Sequence, residues 1–176
     1  MKKEIKALDE DVSLFLVDAL KYQDVIVNIL KKLKQKKGVY VALNKPSKKL
    51  KKLFSSKNLF FLDAVGKEKE KDVDLLTPQN LSEISIKIKK KSKDYDFVLF
   101  DTIDSFLTYN KKQYVERFLT DIVGYIRDNN KKAVLIGIKQ ELIKHDLLNS
   151  VERISDEVVD LGASASKAFE ETFAKL

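Results

Sequence analysis

The chain has 176 residues, of which 44% are hydrophobic, so it is long enough to bury a sizeable core within one domain. It contains no cysteine, which excludes disulfide bonds, zinc sites built on thiolates and a cysteine nucleophile. No apolar run reaches the roughly 18 residues that suggest a membrane-spanning helix, and acids from Glu4 onward interrupt any signal-peptide core. We therefore expect a cytoplasmic protein without a membrane partner.

The net charge of +7 at pH 7 raises the question of a nucleic-acid partner. Arginine, the preferred reader of bases and phosphate forks, occurs only at Arg117, Arg127 and Arg153. The lysines form runs on or beside predicted helices, at residues 31–37, 45–52 and 87–93. We favour solvated helix faces for these runs. The alternative is a salt-sensitive surface for nucleic acid or an acidic protein, so nucleic acid is not the favoured partner.

The amino-terminal half of the chain predicts three strands that alternate with two helices. Residues 1–11 are charged and form a short arm or a first helical turn. The strands are apolar runs at residues 12–17, 39–43 and 59–62, and Asp63 closes the third. One helix covers residues 22–36, with Gly38 as its C′ glycine. A second begins at Pro46 and carries Leu50, Leu53 and Phe54 on one face.

The carboxyl-terminal half continues the same alternation after a charged loop at residues 66–74. Thr77 is a good N-cap for the next helix, with Pro78 in its first turn. Further strands are predicted at residues 97–100, 133–138 and 158–161, and helices at 111–129, 141–149 and, as a tail, 163–176. This alternation predicts one three-layer α/β domain, with a mostly parallel central sheet and helices on both faces.

One stretch organises the chain, the apolar run of residues 97–100 followed by Asp101. Four apolar residues without polar alternation indicate a strand buried on both faces, as in the centre of a parallel sheet. An acid just past the carboxyl end of such a strand lies where open α/β sheets bind their ligands. Asp101 is therefore a candidate site residue, although it could equally cap the following turn or helix.

This stretch carries a family resemblance. The residues Phe97-Val98-Leu99-Phe100-Asp101-Thr102-Ile103-Asp104-Ser105 look like the Walker B strand of RecA-like ATPases. The following helix, the strand 133–138 with Lys139 after it, and the ending 156–161 come in the same order as in that family. Over residues 12–162 the chain resembles the RecA-like core of P-loop NTPases, and especially archaeal KaiC-like proteins implicated in signalling. The resemblance implies that Asp101 supports a magnesium ion bound with nucleotide.

The chain departs from this family at the phosphate loop, which should join the first strand to the first helix. That loop is rich in glycine and ends in Gly-Lys-Ser/Thr, so that its backbone N–H groups wrap the phosphates. Here the junction reads Asp18-Ala19-Leu20-Lys21-Tyr22-Gln23-Asp24, which has no glycine and no hydroxyl side chain of serine or threonine. Lys21 alone cannot replace the missing N–H groups, and Asp18 and Asp24 would repel a polyphosphate.

A second departure follows the second strand. KaiC-like proteins carry acidic residues there, which help to activate the attacking water, whereas this chain has Asn44-Lys45-Pro46. The expectation is that no RecA-type ATP hydrolysis occurs, that ATP and magnesium are not required cofactors, and that Asp101 is a structural remnant.

Two other sites use the same residues. A divalent cation could be shared by Asp18, Asp101 and Asp104, although oxygen-only sites leave little trace in a sequence. Asp18, Asp101 and Lys139 also resemble a phosphorylation-receiver triad, but two additional strands separate the two acids. Lys21 and Lys139 are the candidate anion contacts. The only histidine, His145, lies beside Lys144 and Asp146 on a charged helix face, where solvent exposure is expected.

The sequence thus predicts a degenerate RecA/KaiC-like module that has lost its phosphate loop and acts without catalysis in regulation or protein interaction. A protein partner is expected, which could be a second copy of the chain. The alternative is a nucleotide- or nucleic-acid-binding protein with weak or no phosphohydrolase activity.

Overall fold

The structure is a computed structural model that describes residues 6–162. Its strands are β1 (Val12–Val17), β2 (Gly38–Ala42), β3 (Leu59–Asp63), β4 (Val73–Leu75), β5 (Phe97–Phe100), β6 (Lys132–Ile138) and β7 (Glu157–Leu161). Its helices are α1 (Tyr22–Lys32), α2 (Ser47–Leu53), α3 (Leu81–Ser92), α4 (Lys112–Asp128), α5 (Lys139–Lys144) and α6 (Leu148–Ile154), with a 3-10 helix at Ile103–Thr108. These elements alternate along the chain as the sequence predicted.

Within residues 6–162 the seven strands form one parallel sheet in the order β4-β3-β2-β5-β6-β1-β7. This confirms the predicted α/β class and the placement of β5 at the centre. Successive residues of a strand point to opposite faces, and both faces are buried here. In β1, Leu14 and Leu16 pack into one core, whereas Phe15 and Val17 pack into the other.

The helices divide between these two cores. The helices α3, α4, α5 and α6 and the 3-10 helix cover one face of the sheet, and α1 and α2 cover the other. A turn before β1 joins the second layer, because Ala7 is fully buried and Leu8 is 6% exposed. The predicted tail helix at residues 163–176 lies outside the described residues. Among the described helices, none is both long and apolar enough to cross a membrane.

Gly38 does not end a helix, which corrects the sequence prediction. The helix α1 already ends at Lys32, and Gly38 is the first residue of β2. None of the glycines in residues 6–162 has a positive φ, so Gly38 is not in the left-handed conformation of a C′ glycine. Its role is close packing, because a Cβ at this position would lie 2.1 Å from Cζ of Phe97.

Four further boundaries differ from the sequence prediction. Asn80, rather than Thr77, caps α3, since its side chain accepts a hydrogen bond from the N–H of Glu83 at 3.0 Å. The predicted loop at 66–74 leads into the short strand β4, which pairs with β3. The 3-10 helix was not predicted, and the single helix predicted at 141–149 is two short helices, α5 and α6. Leu53 is 56% exposed and so lies outside the core.

The packing of Gly38 against Phe97 leads to a stability prediction. Gly38→Ala should lower the free energy of unfolding by about 1–3 kcal/mol, because the buried ring has nowhere to move. Gly124→Ala is the matched control, since a Cβ there meets no atom within 4 Å. As a glycine inside α4, Gly124 should gain about 0.5–1 kcal/mol when changed to alanine. Urea unfolding measures both, and an unchanged midpoint for Gly38→Ala would contradict this packing.

Candidate functional site

All seven strands end at one side of the sheet, which we call the carboxyl edge. The chain leaves β1 towards β2 on one side, and leaves β6 towards β7 on the other. In open α/β sheets, ligands bind at the carboxyl ends of strands near such a switch in direction. The polar residues that end or follow the strands here are Asp18 (β1), Asn44 and Lys45 (β2), Asp63 (β3), Asp101 and Asp104 (β5), and Lys139 (β6).

Asp101 is held by three internal hydrogen bonds and is only 2% exposed. Its Oδ1 accepts from the backbone N–H of Leu43 at 2.6 Å and of Asn44 at 3.2 Å. Its Oδ2 accepts from the hydroxyl of Tyr40 at 2.9 Å. Because Tyr40 lies in β2 and Leu43 and Asn44 follow it, this carboxyl group ties the end of β5 to the end of its neighbour β2.

Burial shifts the protonation of this cluster. It raises the pKa of Asp101 from 3.8 to about 7, although the hydrogen bonds from Leu43, Tyr40 and Asn44 act to lower it. Burial and the charge of Asp101 also raise the pKa of Tyr40 well above 10.0, so this phenol stays protonated. A carboxyl group with a pKa near 7 suits acid–base catalysis. Asp101 nevertheless has almost no contact with solvent, so it meets no substrate in this conformation.

Asp104 faces the opposite neighbour of β5. Its Oδ1 accepts from the backbone N–H of Ile138 at 2.8 Å, at the end of β6, and the side chain is 8% exposed. Burial raises the pKa of Asp104 to about 6. The intervening Thr102 is fully buried and has φ of 46°. A β-branched residue rarely adopts this left-handed conformation, and here it separates two acids that bond to different strands.

A third buried acid, Asp63, closes the edge at β3. Its Oδ2 accepts from the N–H of Ser47 at the start of α2, at 2.8 Å. Its Oδ1 accepts from the N–H groups of Val65 at 2.9 Å and of Gly66 at 2.7 Å. Sequence reasoning marked Asp63 only as the end of a strand. The structure shows a carboxyl group that shapes two connections of the chain.

The junction of β1 and α1 forms a tight turn instead of a phosphate cradle. The Oδ1 of Asp18 accepts from the N–H of Leu20 at 2.8 Å, and its carbonyl accepts from the N–H of Lys21 at 3.0 Å. Two backbone donors that could face a phosphate are therefore used within the turn. The side chain of Leu20 is 91% exposed, and Lys21 is the half-buried N-cap residue of α1.

Side chains of α1 and of the β2–α2 loop fill the space above Asp101. Tyr22 is 6% exposed, and the Nζ of Lys45 lies 5.3 Å from its ring centroid. Lys45 also donates to Oε1 of Gln23 at 2.9 Å. Between these residues, Tyr40 and Asp101 a cavity of only about 10 Å³ remains. That is about the space of one water molecule.

The hydroxyl of Tyr22 is buried without a hydrogen-bond partner. Burial, with the nearby charges of Asp101 and Asp104, raises its pKa to about 12. A buried polar group of this kind normally has a partner, and a single water in the adjoining cavity would supply one.

Lys139 forms an ion pair with an acid that is not one of the candidate site residues. Its ammonium group pairs with the carboxylate of Asp160 on β7. The strand β1 lies between β6 and β7, so this ion pair spans the end of β1. The receiver-like set of Asp18, Asp101 and Lys139 is therefore not assembled as one site. His145 is exposed, as expected.

The described residues do not fit a magnesium–nucleotide complex. Within residues 6–162 there is no group of three or more His, Cys, Asp or Glu side chains that could hold a metal ion. Asp101 and Asp104 are both committed to backbone N–H groups, and Asp18 closes its own turn. The cavity beside Asp101 is about 10 Å³, which is too small for a nucleotide.

A larger concave surface lies elsewhere, between α3 and α4. This groove has a volume of about 960 Å³, and its lining includes Leu81, Ile86, Tyr114 and Phe118. Ile86 is 66% exposed and Tyr114 is 51% exposed. None of the predicted site residues lines this groove.

Sequence reasoning missed three residues that define the closed edge, namely Tyr22, Tyr40 and Lys45. Tyr40 was counted only as part of an apolar strand, and Tyr22 only as the start of a helix. Their hydroxyl groups were the available signal, because a buried tyrosine usually needs a polar partner. Lys45 belonged to a run of lysines, which hid its contact with Tyr22.

Comparison with known proteins supports the fold. No family model matches the chain, and no curated protein matches its sequence. Among solved structures, it is similar to a KaiC-like protein from the hyperthermophilic archaeon Pyrococcus horikoshii OT3, with a TM-score of 0.64 and 14% sequence identity. The match covers 87% of this chain and 73% of that chain. A likeness at this identity shows a RecA/KaiC-like fold, which confirms the predicted architecture.

The three contacts of Asp101 lead to a contrast between two substitutions. Asp101→Ala removes the acceptor for the N–H groups of Leu43 and Asn44 and for the hydroxyl of Tyr40, and should cost about 1–3 kcal/mol for each buried group left unpaired. Asp101→Asn keeps an oxygen for Leu43 and Asn44, and its amide can donate to the hydroxyl of Tyr40. It should therefore unfold at about the wild-type urea concentration at pH 7. Equal losses for both variants would contradict this bonding scheme.

The raised pKa of Asp101 also predicts how stability depends on pH. Below about pH 4 both the folded and the unfolded states hold the proton. Between 3.8 and about 7 the folded state keeps a proton that the unfolded chain has released. Rising pH therefore removes stability in this window and has no further effect through Asp101 above it. Urea unfolding across this range should show wild type losing stability relative to Asp101→Asn, and a constant difference would refute the shift.

Proposed function

We propose that this protein is a non-catalytic regulatory or protein-interaction module, built on a RecA/KaiC-like fold that has lost its phosphate loop. The observation that carries the proposal is the engagement of Asp101. In a working nucleotide site this carboxylate would face a magnesium ion, but here it is buried and accepts hydrogen bonds from Tyr40 in β2 and from the N–H groups of Leu43 and Asn44 after β2.

Two further features support the same conclusion. The turn after β1 uses the N–H groups of Leu20 and Lys21 internally, which leaves no cradle of amides for phosphates. The ring of Tyr22 and the side chain of Lys45 occupy the space above Asp101. Recovering a nucleotide site would require movement of α1, the β2–α2 loop and Asp101 together.

An intact sheet with a closed ligand edge suits a protein that works by presenting its surface. The likeness to a KaiC-like protein supports the scaffold, and a signalling role would be in keeping with it. The partner in this proposal is another protein or a second copy of the chain. Sedimentation velocity over a wide range of protein concentrations tests the second case, which predicts a concentration-dependent rise in mass.

The absence of nucleotide binding is the direct test. Isothermal calorimetry with ATP and magnesium should give no binding heat for wild type, and ATP should not raise the thermal unfolding midpoint. Asp101→Asn is the matched control, because it changes the key acid while preserving its hydrogen bonds. ATP binding by wild type that Asp101→Asn abolishes would mean that a nucleotide site forms, and the proposal would be wrong.

A further inference from the structure

The strongest unassigned feature is the charge on the opposite side of the sheet, where the strands begin. Three segments that precede β2, β3 and β5 meet there, at residues 31–37, 51–58 and 89–96. Together they contain twelve lysines, no arginine and only two acids, Asp94 and Asp96. We call these three segments the basic edge. The whole chain carries a net charge of +7, and the basic edge alone carries a larger net positive charge than that. The rest of the chain is therefore net negative.

The other half of the same side has a different balance. The segments that precede β1, β6 and β7, at residues 6–11, 127–132 and 152–157, contain five basic and seven acidic residues. The sheet order places β3, β2 and β5 side by side, and β6, β1 and β7 side by side. The lysines are therefore concentrated on one half of the sheet rather than spread over the surface.

Hydrogen bonds that involve the backbone hold the three basic segments together. The N–H of Lys37 donates to Oδ2 of Asp96 at 2.8 Å, and the N–H of Gly38 donates to the carbonyl of Asn58 at 2.9 Å. The side chain of Asn58 donates to the carbonyl of Lys34 at 2.9 Å. The lysines of all three segments thus project from a fixed frame.

Only some of these lysines form ion pairs within residues 6–162. Lys51 pairs with Glu70 and Asp72, and Lys89 pairs with Asp121. Among the described residues, no ion pair joins Lys36, Lys57 or Lys93 to a carboxylate, and the same holds for Lys34, Lys37 and Lys90. Unpaired like charges held close together repel one another, so the surface gains from a negatively charged ligand.

Helix dipoles explain only part of this concentration. Lysines in the last turn of a helix interact favourably with its carboxyl end, as Lys31 and Lys32 do in α1 and Lys51 and Lys52 do in α2. The effect fades within one turn, whereas Lys36, Lys37 and Lys57 lie beyond their helices. The longer helix α4 has only Arg127 as a basic residue in its last turn.

The side-chain types distinguish between two classes of anionic partner. The centre of a protein interface is usually rich in arginine and aromatic residues and poor in lysine. The basic edge has no arginine, and Leu53 is its only large apolar side chain that is more than half exposed. The lack of arginine argues against the reading of bases, but contacts to a phosphate backbone that ignore sequence need only point charges, which lysine supplies.

A shallow hollow provides a place for such a backbone. It has a volume of about 230 Å³ and lies between Lys37, Lys57, Asn58, Lys91 and Tyr95, with Asp94 at its side. Three lysines and an amide therefore converge from all three segments. The half-buried ring of Tyr95 supplies an aromatic surface beside them.

We propose that the basic edge binds the phosphate backbone of a nucleic-acid strand without reading its sequence. The lysines make the phosphate contacts, and the hollow at Lys37, Lys57 and Lys91 fixes the path of the strand. The basic edge lies on the side of the sheet opposite to the closed carboxyl edge. Binding of nucleic acid there does not require a nucleotide site at the carboxyl edge.

Fluorescence anisotropy with labelled single-stranded DNA, single-stranded RNA and duplex DNA of mixed sequence tests this proposal. Each neutralised phosphate contributes a slope of about −0.7 for single strands in log affinity against log salt. With about four phosphates contacted, affinity should fall roughly 50-fold between about 50 mM and about 200 mM salt. Changing the base sequence should have little effect.

Two charge-matched variants locate the surface. Lys37→Gln with Lys57→Gln and Lys93→Gln should weaken binding at low salt at least about tenfold and make the salt slope shallower by about 2. The control, Lys49→Gln with Lys111→Gln and Lys144→Gln, removes the same charge at exposed positions outside the basic edge and should keep near wild-type affinity. If the first variant lost its fold, Lys36→Gln with Lys90→Gln should show the same weakening to a smaller degree.

Three results would overturn the proposal. One is the absence of binding to any of the nucleic acids at low salt. Another is an equal loss of affinity in the control variant, which would mean that net charge alone drives binding. The third is equally tight binding of a polyglutamate peptide to the same lysines, which would assign the surface to an acidic protein.

Discussion

The carboxyl group of Asp101 joins two neighbouring strands at the place where this fold usually binds its ligands. One oxygen receives the N–H groups that follow β2, and the other receives the hydroxyl of Tyr40. Asp104 forms the equivalent link from β5 to β6, and Asp63 fixes the start of α2. The acids at the centre of this edge therefore accept hydrogen bonds from residues at the ends of neighbouring strands. An acid that is used in this way is not free to hold a cation.

This constraint explains why the edge is closed. With Asp101 turned towards β2, the region above it can be filled by apolar and aromatic groups, and Tyr22 takes that position. Burial then raises the pKa of Asp101 to about 7. In an open site such a shift would point to catalysis, whereas here it is a consequence of packing. A raised pKa thus indicates catalysis only where a substrate can reach the carboxyl group.

The architecture could be predicted from the sequence because the strands are buried on both faces. The continuous apolar run Phe97–Phe100 and the run Val12–Val17, which only Ser13 interrupts, are typical of buried strands, and both strands appear as predicted. The failures have local causes. Gly38 looked like a helix end, but what selects glycine there is the ring of Phe97, which is distant in sequence. The strand β4 was missed because only three residues pair with β3, between charged neighbours.

The candidate site was harder to predict than the fold, because its function depends on which groups the side chains of Asp101 and Asp104 contact. The sequence placed Asp101 and Asp104 correctly after β5, but it could not show that they bond to strands on opposite sides. Between the two acids lies Thr102 in the left-handed conformation, which no local sequence pattern predicts. The absence of glycine between β1 and α1 was visible in the sequence. The structure adds that the N–H groups of Leu20 and Lys21 are bonded within the turn.

The two sides of the sheet differ in the kind of ligand that they can accept. At the carboxyl edge, Asp63, Asp101 and Asp104 are buried and accept hydrogen bonds from backbone N–H groups, so an incoming ligand would have to break existing hydrogen bonds. At the basic edge, lysines are numerous, and Lys34, Lys36, Lys37, Lys57, Lys90 and Lys93 are exposed and form no ion pair within residues 6–162, so an incoming anion would relieve repulsion. The tight turn between β1 and α1 takes the place of a phosphate cradle without interrupting the sheet. A scaffold of this kind can therefore keep its fold and acquire function through the charges at its other side.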